Sequence, residues 1–149
     1  MEARLNLLKL APDAYNAIIA LQGTVDKCGL EVAILELVKL RASQLNGCAF
    51  CIAMHTRDAL KHGLSQERMH LLNAWRETPL YSERERAALA WTEALTFITQ
   101  GHAPDEVYQQ VRRQFNEKEV AYLTFAVTVI NAWNRLAISM HRPPQVEAA

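Results

Sequence analysis

Glycine and proline are scarce in this chain, five of each in 149 residues, and they sit at segment boundaries. No stretch sustains apolar–polar alternation, no repeat recurs, and no segment is of low complexity. These absences leave a chain of helices. Charge of one sign is also lacking: 16 basic and 16 acidic residues cancel. A nucleic-acid binder normally carries a basic excess, so that class is set aside. Neutrality neither favours nor excludes an anionic substrate. No run of about 18 apolar residues occurs, so no membrane span is expected. The first ten residues include Glu2, Arg4 and Lys9, and Pro12 follows too soon for an apolar signal core. The expectation is therefore a cytoplasmic protein without a secretory leader.

What is present is hydrophobic. Half the residues are apolar, the upper end for a soluble protein. That hints at burial between subunits, although a helical core can also absorb it. The length fits a single domain over residues 1–149. The spacing of apolar residues and breakers predicts an all-α chain of about seven helices. The first spans 12–28, with Ala14, Ile18, Leu21 and Val25 on one stripe, and the second spans 31–45, apolar nearly all round and therefore buried. The third spans 48–61, and a fourth opens at Ser65 and runs to residue 75. Ser82 to Glu85 form a capping box that opens a fifth helix, closed by Gly101, and Pro104 opens a sixth that runs to residue 115. Asn116 with Glu119 opens a seventh, which runs to residue 140, and 145–149 reads as a loose tail.

The chemistry concentrates in Asn46-Gly47-Cys48-Ala49-Phe50-Cys51-Ile52-Ala53-Met54-His55, which holds two of the three cysteines. A helix opening after Asn46-Gly47 places Cys48 in its first turn, where the helix dipole favours a thiolate. The spacings from Cys48 to Cys51 and from Cys51 to His55 stack all three side chains on one face. His55 can accept the thiol proton and return it to a leaving alkoxide. Glu36 shares a face with Val32, Ala33, Leu40 and Ser43, so its carboxylate is either poorly solvated or aimed at a partner. If helices two and three pair antiparallel, Glu36 lies roughly 13 Å back from the turn and His55 roughly 12 Å forward. The two depths match.

Plainer readings exist for each residue. Cys48, Cys51 and His55 could hold zinc with a fourth ligand from Glu36, His62 or Cys28, but there is no second C-x-x-C and no H-x-x-x-H. The two cysteines could be ordinary core residues. Glu36 could pair with Lys39 on the surface. His62 fits a helix C-terminus, where the dipole favours it. Cys28 fits a small core position, and Trp75, Trp91 and Trp133 fit packing or interface roles.

Glu36, then eleven residues, then Cys48-x-x-Cys51-x-x-x-His55 resembles the signature of the alkylhydroperoxidase AhpD-like family, in the carboxymuconolactone decarboxylase superfamily. The words from Leu40 to Cys48 and from Ile130 to Arg135 are similar to it too, and the resemblance spans 31–142. It implies an all-helical AhpD-like fold assembled as a homotrimer or homohexamer. It implies a cofactor-free hydroperoxide reductase or a more general thiol–disulfide reductase, with a proton relay from Glu36 through His55 to the cysteines. The reductant it implies is an external dithiol, such as a lipoyl-bearing protein. It also implies that Cys51 attacks and Cys48 resolves. The helix-start argument points the other way, to Cys48 as the more exposed thiol. Phe50 departs from the family pattern, which often has a relay histidine there. The decarboxylase branch lacks the cysteine pair, so lactone chemistry does not fit. Beyond a redox sensor or disulfide reductase, the remaining alternative is a non-catalytic, metal-binding helical oligomer.

Overall fold

In the computed structural model, which describes residues 2–144, the chain is helical and no strand occurs among the described residues. The helices are α1 (Leu7–Leu10), α2 (Pro12–Asp26), α3 (Val32–Asn46), α4 (Ala49–Lys61), α5 (Gln66–Leu71), α6 (Glu83–Thr96), α7 (Asp105–Gln114) and α8 (Glu117–Ser139). A 3-10 helix, Leu72–Glu77, continues α5. The tail expected over 145–149 lies outside the described residues.

Helix α3 is the axis of the fold. Its side chains from Ile34 to Ser43 are all buried, because α4, α6 and α8 pack around it. The near-continuous apolar sequence of this segment is what such an all-round burial requires. One core cluster joins Ile34, Leu35 and Val38 to Ala87, Ala88 and Trp91 of α6 and Leu123 and Val127 of α8. A second joins Leu37 and Leu40 to Ala59, Leu72, Trp75 and Leu89. The charges that α3 carries inward are matched. Arg41 pairs with Glu93 at 2.7 Å, and the Trp75 indole donates to the same carboxylate at 2.8 Å.

Local signals set the boundaries. The capping boxes of Ser82 with Glu85 and Asn116 with Glu119 are both formed. Gly47 closes α3 in the left-handed region at φ 69°, where a side chain would cost roughly 1–2 kcal/mol. Several expectations need correction. The short α1 was not foreseen; Asn6 caps it by accepting from the Lys9 N–H. Gly23 lies inside α2 rather than at a boundary. Helix α5 tightens at Leu72 instead of continuing as one α-helix, with a kink at Ala74. Helix α6 ends at Thr96, well before Gly101, because Phe97 and Ile98 stay exposed and β-branched Ile98 and Thr99 bury nothing that would hold another turn.

Candidate functional site

The turn at Gly47 brings α4 back along α3, and the first residue it positions is Cys48. Cys48 is the N-cap of α4, one residue before the helical turn in which the sequence placed it. Its sulfur accepts from the Cys51 backbone N–H at 3.3 Å, using an otherwise unpaired donor of the helix start. Cys48 is not the more exposed thiol. Both cysteines are 2% exposed, since each packs against Ala137 of α8 and the Phe50 side chain. Both are free thiols.

The two thiols push each other apart in acidity. The Cys48 thiol is held down to about 7, chiefly by a hydrogen bond from the Cys51 thiol. Burial works against this, while the Cys51 N–H, the Asn134 amide and the Phe50 N–H add to it. Cys51 is pushed up by donating to Cys48, then by burial and by the charge on Cys48; Asn134 and Arg142 oppose the rise. At neutral pH Cys48 is therefore about half ionised, while Cys51 keeps its proton.

His55, 7% exposed, lies one turn beyond Cys51 on the same face of α4. Its Nδ1 is 3.5 Å from Glu36 Oε2, which requires the antiparallel pairing of α3 and α4. At that distance the two atoms face each other without a formed hydrogen bond, and neither has another partner among the described residues. Glu36 does pair with Lys39, at 3.3 Å, but in the interior rather than on the surface. Lys39 also reaches Asp26 at 2.9 Å. Burial pushes the Glu36 carboxyl up, yet His55 and Lys39 outweigh it and hold it below the ordinary value. Lys39 is raised: burial opposes its charge, but Glu36 and Asp26 prevail. Glu36 is thus a buried carboxyl held toward its ionised form and facing the His55 ring.

Beneath Cys48 lies a polar network that sequence reasoning missed. Asn134, fully buried on α8, donates to Ser43 Oγ at 3.1 Å and accepts from Asn46 Nδ2 at 2.9 Å. Asn46 also donates to Asn131 Oδ1 at 3.0 Å, and Asn131 donates to Thr96 Oγ1 at 3.0 Å. The signal was two asparagines three residues apart in an otherwise apolar helix, a pattern that buried amides need partners to sustain.

A cavity of about 700 Å³ opens beside the pair, and Glu36, Phe50, Cys51, Met54 and His55 form one wall. Cys48 does not line it. Trp133 does, stacked edge-on against Tyr15 with ring centroids 5.2 Å apart. Arg142 lies over the Phe50 ring at 3.9 Å, so the position where a relay histidine was sought carries a stacked guanidinium instead. His62 is the exposed C-cap of α4, remote from the relay, and Cys28 packs at the edge of the main core. Trp75 and Trp91 are buried packing residues. Among the described residues no group of three or more His, Cys, Asp or Glu side chains is placed to hold a metal ion.

Residues 12–94 match the carboxymuconolactone decarboxylase family. The chain belongs to this family. A relative, the uncharacterized YdfG of Bacillus subtilis, is 38% identical over 140 residues, covering 94% of this chain and 95% of its own length. Among solved structures, ATU0492 of Agrobacterium tumefaciens superposes with a TM-score of 0.95 at 41% identity, covering 98% of this chain and all of that one. ATU0492 is a protein of unknown function, provisionally assigned to AhpD-type antioxidant defence. The debrominase Bmp8 shares the fold alone, with a TM-score of 0.79 at 20% identity over 95% of this chain and 75% of its own. Among the described residues no helix is long and apolar enough to cross a membrane.

Proposed function

We propose that this protein is a dithiol hydroperoxide reductase in which Cys51 attacks, Cys48 resolves, and Glu36 and His55 move the proton. The observation that carries the reading is the meeting of Cys51, His55 and Glu36 in the lining of one cavity, with Cys48 packed beside Cys51 outside that lining. His55 takes the Cys51 proton. The resulting thiolate attacks the terminal peroxide oxygen, the O–O bond breaks, and Cys51 becomes a sulfenic acid while the substrate leaves as an alkoxide. The imidazolium returns its proton to that alkoxide, giving the alcohol. Ionised Glu36 steadies the imidazolium between the two steps. Cys48, about half ionised at neutral pH, then attacks the sulfenic sulfur as its thiolate; a disulfide forms, and hydroxide leaves as water with one proton from solvent. An external dithiol, of the lipoyl class, restores the pair by exchange and is itself oxidised to a disulfide.

The reading includes a single domain in a cytoplasmic setting, where thiols are kept reduced. It also includes a homo-oligomer of three or six copies, supported by large apolar side chains left in water such as Phe125 at 50% exposure. A general thiol–disulfide reductase is the second reading, favoured by the lowered Cys48 thiol at a helix start. Intact mass of reduced protein before and after one equivalent of an organic hydroperoxide tests the first. The expected result is prompt loss of two hydrogens, absent in Cys48→Ser and in Cys51→Ser. No mass change with peroxide, while a small-molecule disulfide still oxidises the pair, would transfer the assignment to the second reading.

A further inference from the structure

The cavity beside Cys51 is much larger than hydrogen peroxide requires. A water molecule occupies roughly 30 Å³ of liquid, and the cavity encloses about 700 Å³. Its far wall is apolar. Leu5, Leu8 and Ile19 line it while 60%, 48% and 47% exposed, and Trp133, Leu136 and Met140 of α8 and its C-cap face them. Large aliphatic side chains gathered around an open cavity mark a surface built to be covered.

The charges around the cavity are unevenly matched. Three acids line it, and each has a basic partner: Asp26 and Glu36 hold Lys39, and Asp58 lies 3.4 Å from Lys61. Two guanidiniums, Arg4 and Arg142, also line it, and neither has a carboxylate partner among the described residues. Both are positioned. Arg4 donates from Nη1 to Ser139 O at 2.9 Å, and its backbone N–H donates to Met140 O at 3.0 Å. Arg142 rests on the Phe50 ring and donates from Nη1 to the Tyr15 hydroxyl at 3.2 Å. A guanidinium has five N–H donors, so both retain free donors for an anion.

We infer that this cavity binds an amphiphile with an apolar body and a carboxylate head, the head held by Arg142 and Arg4 and the body laid along Leu5, Leu8, Ile19 and Trp133. Resting on the reductase reading above, the substrate is an apolar hydroperoxide that bears a carboxylate. Phe50, on whose ring Arg142 rests, lines the same cavity as Cys51, so the head shares that cavity with the reacting thiol.

Isothermal titration calorimetry on the reduced protein, with dodecanoate and dodecanol below their aggregation concentrations, tests the site without any redox step. Dodecanoate should bind about tenfold tighter than the alcohol, as charge-assisted hydrogen bonds from two guanidiniums already held in place supply. The preference should weaken with added salt. It should disappear in Arg142→Gln and shrink in Arg4→Gln, whose side chain is exposed and whose replacement leaves the core untouched. Equal affinity for acid and alcohol, or a preference unchanged in both variants, overturns the proposal. Absence of binding by either ligand also overturns it and leaves the apolar wall to a second copy of this chain. Carboxylate-selective binding in a protein that hydroperoxides fail to oxidise keeps the ligand site and removes the reductase reading.

Discussion

Replacing Cys51 by alanine tests the thiol–thiol hydrogen bond on which the proposed cycle depends. The Cys48 thiol sits at about 7 against an ordinary value of 9.0, and the largest contributor is the hydrogen bond from the Cys51 thiol. That gap is worth roughly 3 kcal/mol in the balance between thiol and thiolate. At pH 7 it raises the ionised fraction of Cys48 from about 1% to about one half. Removing the Cys51 sulfur leaves the backbone donors and the Asn134 amide in place but removes the largest contributor. In a Cys28→Ser background, the ultraviolet absorbance of the thiolate followed across pH reads Cys48 alone. Its midpoint should climb from about 7 most of the way toward 9.0, and the rate of alkylation at pH 7 should fall at least tenfold. A midpoint that stays at about 7 would show that the helix start alone acidifies Cys48. The thiol–thiol hydrogen bond would then not set its acidity, and the argument for a ready resolving thiolate would have to rest on the helix dipole.

Glu36→Gln should slow peroxide reduction by up to the roughly hundredfold that a positioned acid–base pair contributes, and should alter the pH profile while leaving helix content intact; an unchanged rate and profile would remove the relay. The same substitution reports on acid stability. Glu36 is lowered on folding, so its contribution is present above the unfolded value near 4.5 and is lost as pH falls through the lower folded value. The variant should therefore show a shallower loss of stability below about pH 4.5. Asn134→Leu should destabilise by roughly 1–3 kcal/mol in denaturant titration, since Ser43 and Asn46 lose a buried partner. It should also raise the Cys48 midpoint, a readout that a purely structural role would not move.

How far the sequence reaches depends on the range of the interaction. The helices that carry their own signals are where the sequence puts them. Helix α8 opens at Asn116 and α6 at Ser82, because a capping box is local chemistry. The placing of α3 as a buried helix follows from its apolar sequence. The meeting of Glu36 with His55 was legible because a tight turn between two helices leaves one free parameter, the direction of return. What was not legible comes from other elements. Asn134 reaches the cysteines from α8 across a separation of more than eighty residues, and the asparagine pair of α8 signals buried amides without naming the partners they meet. Arg142 and Arg4 arrive from the two ends of the chain, and only the folded structure places both on the rim of one cavity. The early end of α6 depends on what Phe97 and Ile98 fail to bury, which is a property of packing rather than of sequence.

The two sequence arguments about the attacking thiol conflict because each captures a different half of the same geometry. A helix start does acidify the first cysteine, and Cys48 is the lowered one. Yet the N-cap conformation that makes this possible turns its sulfur inward, over the Cys51 N–H and against Ala137, away from the cavity. The same helical turn leaves Cys51 on the cavity wall with His55 as its neighbour. Ionisation and access are thus divided between two residues three apart. Such a division suits a two-step cycle. In the proposed cycle the cavity-lining thiol would need a base only while substrate is present, which would limit its reaction with other electrophiles. In that cycle the lowered Cys48 thiol would need no base, because its single target, the sulfenic sulfur of its neighbour, would be delivered to it. In the proposed cycle Phe50 in place of a histidine removes no required proton carrier, since His55 would serve the attacking thiol and Cys48 is about half ionised at pH 7. It provides instead the ring on which Arg142 is seated.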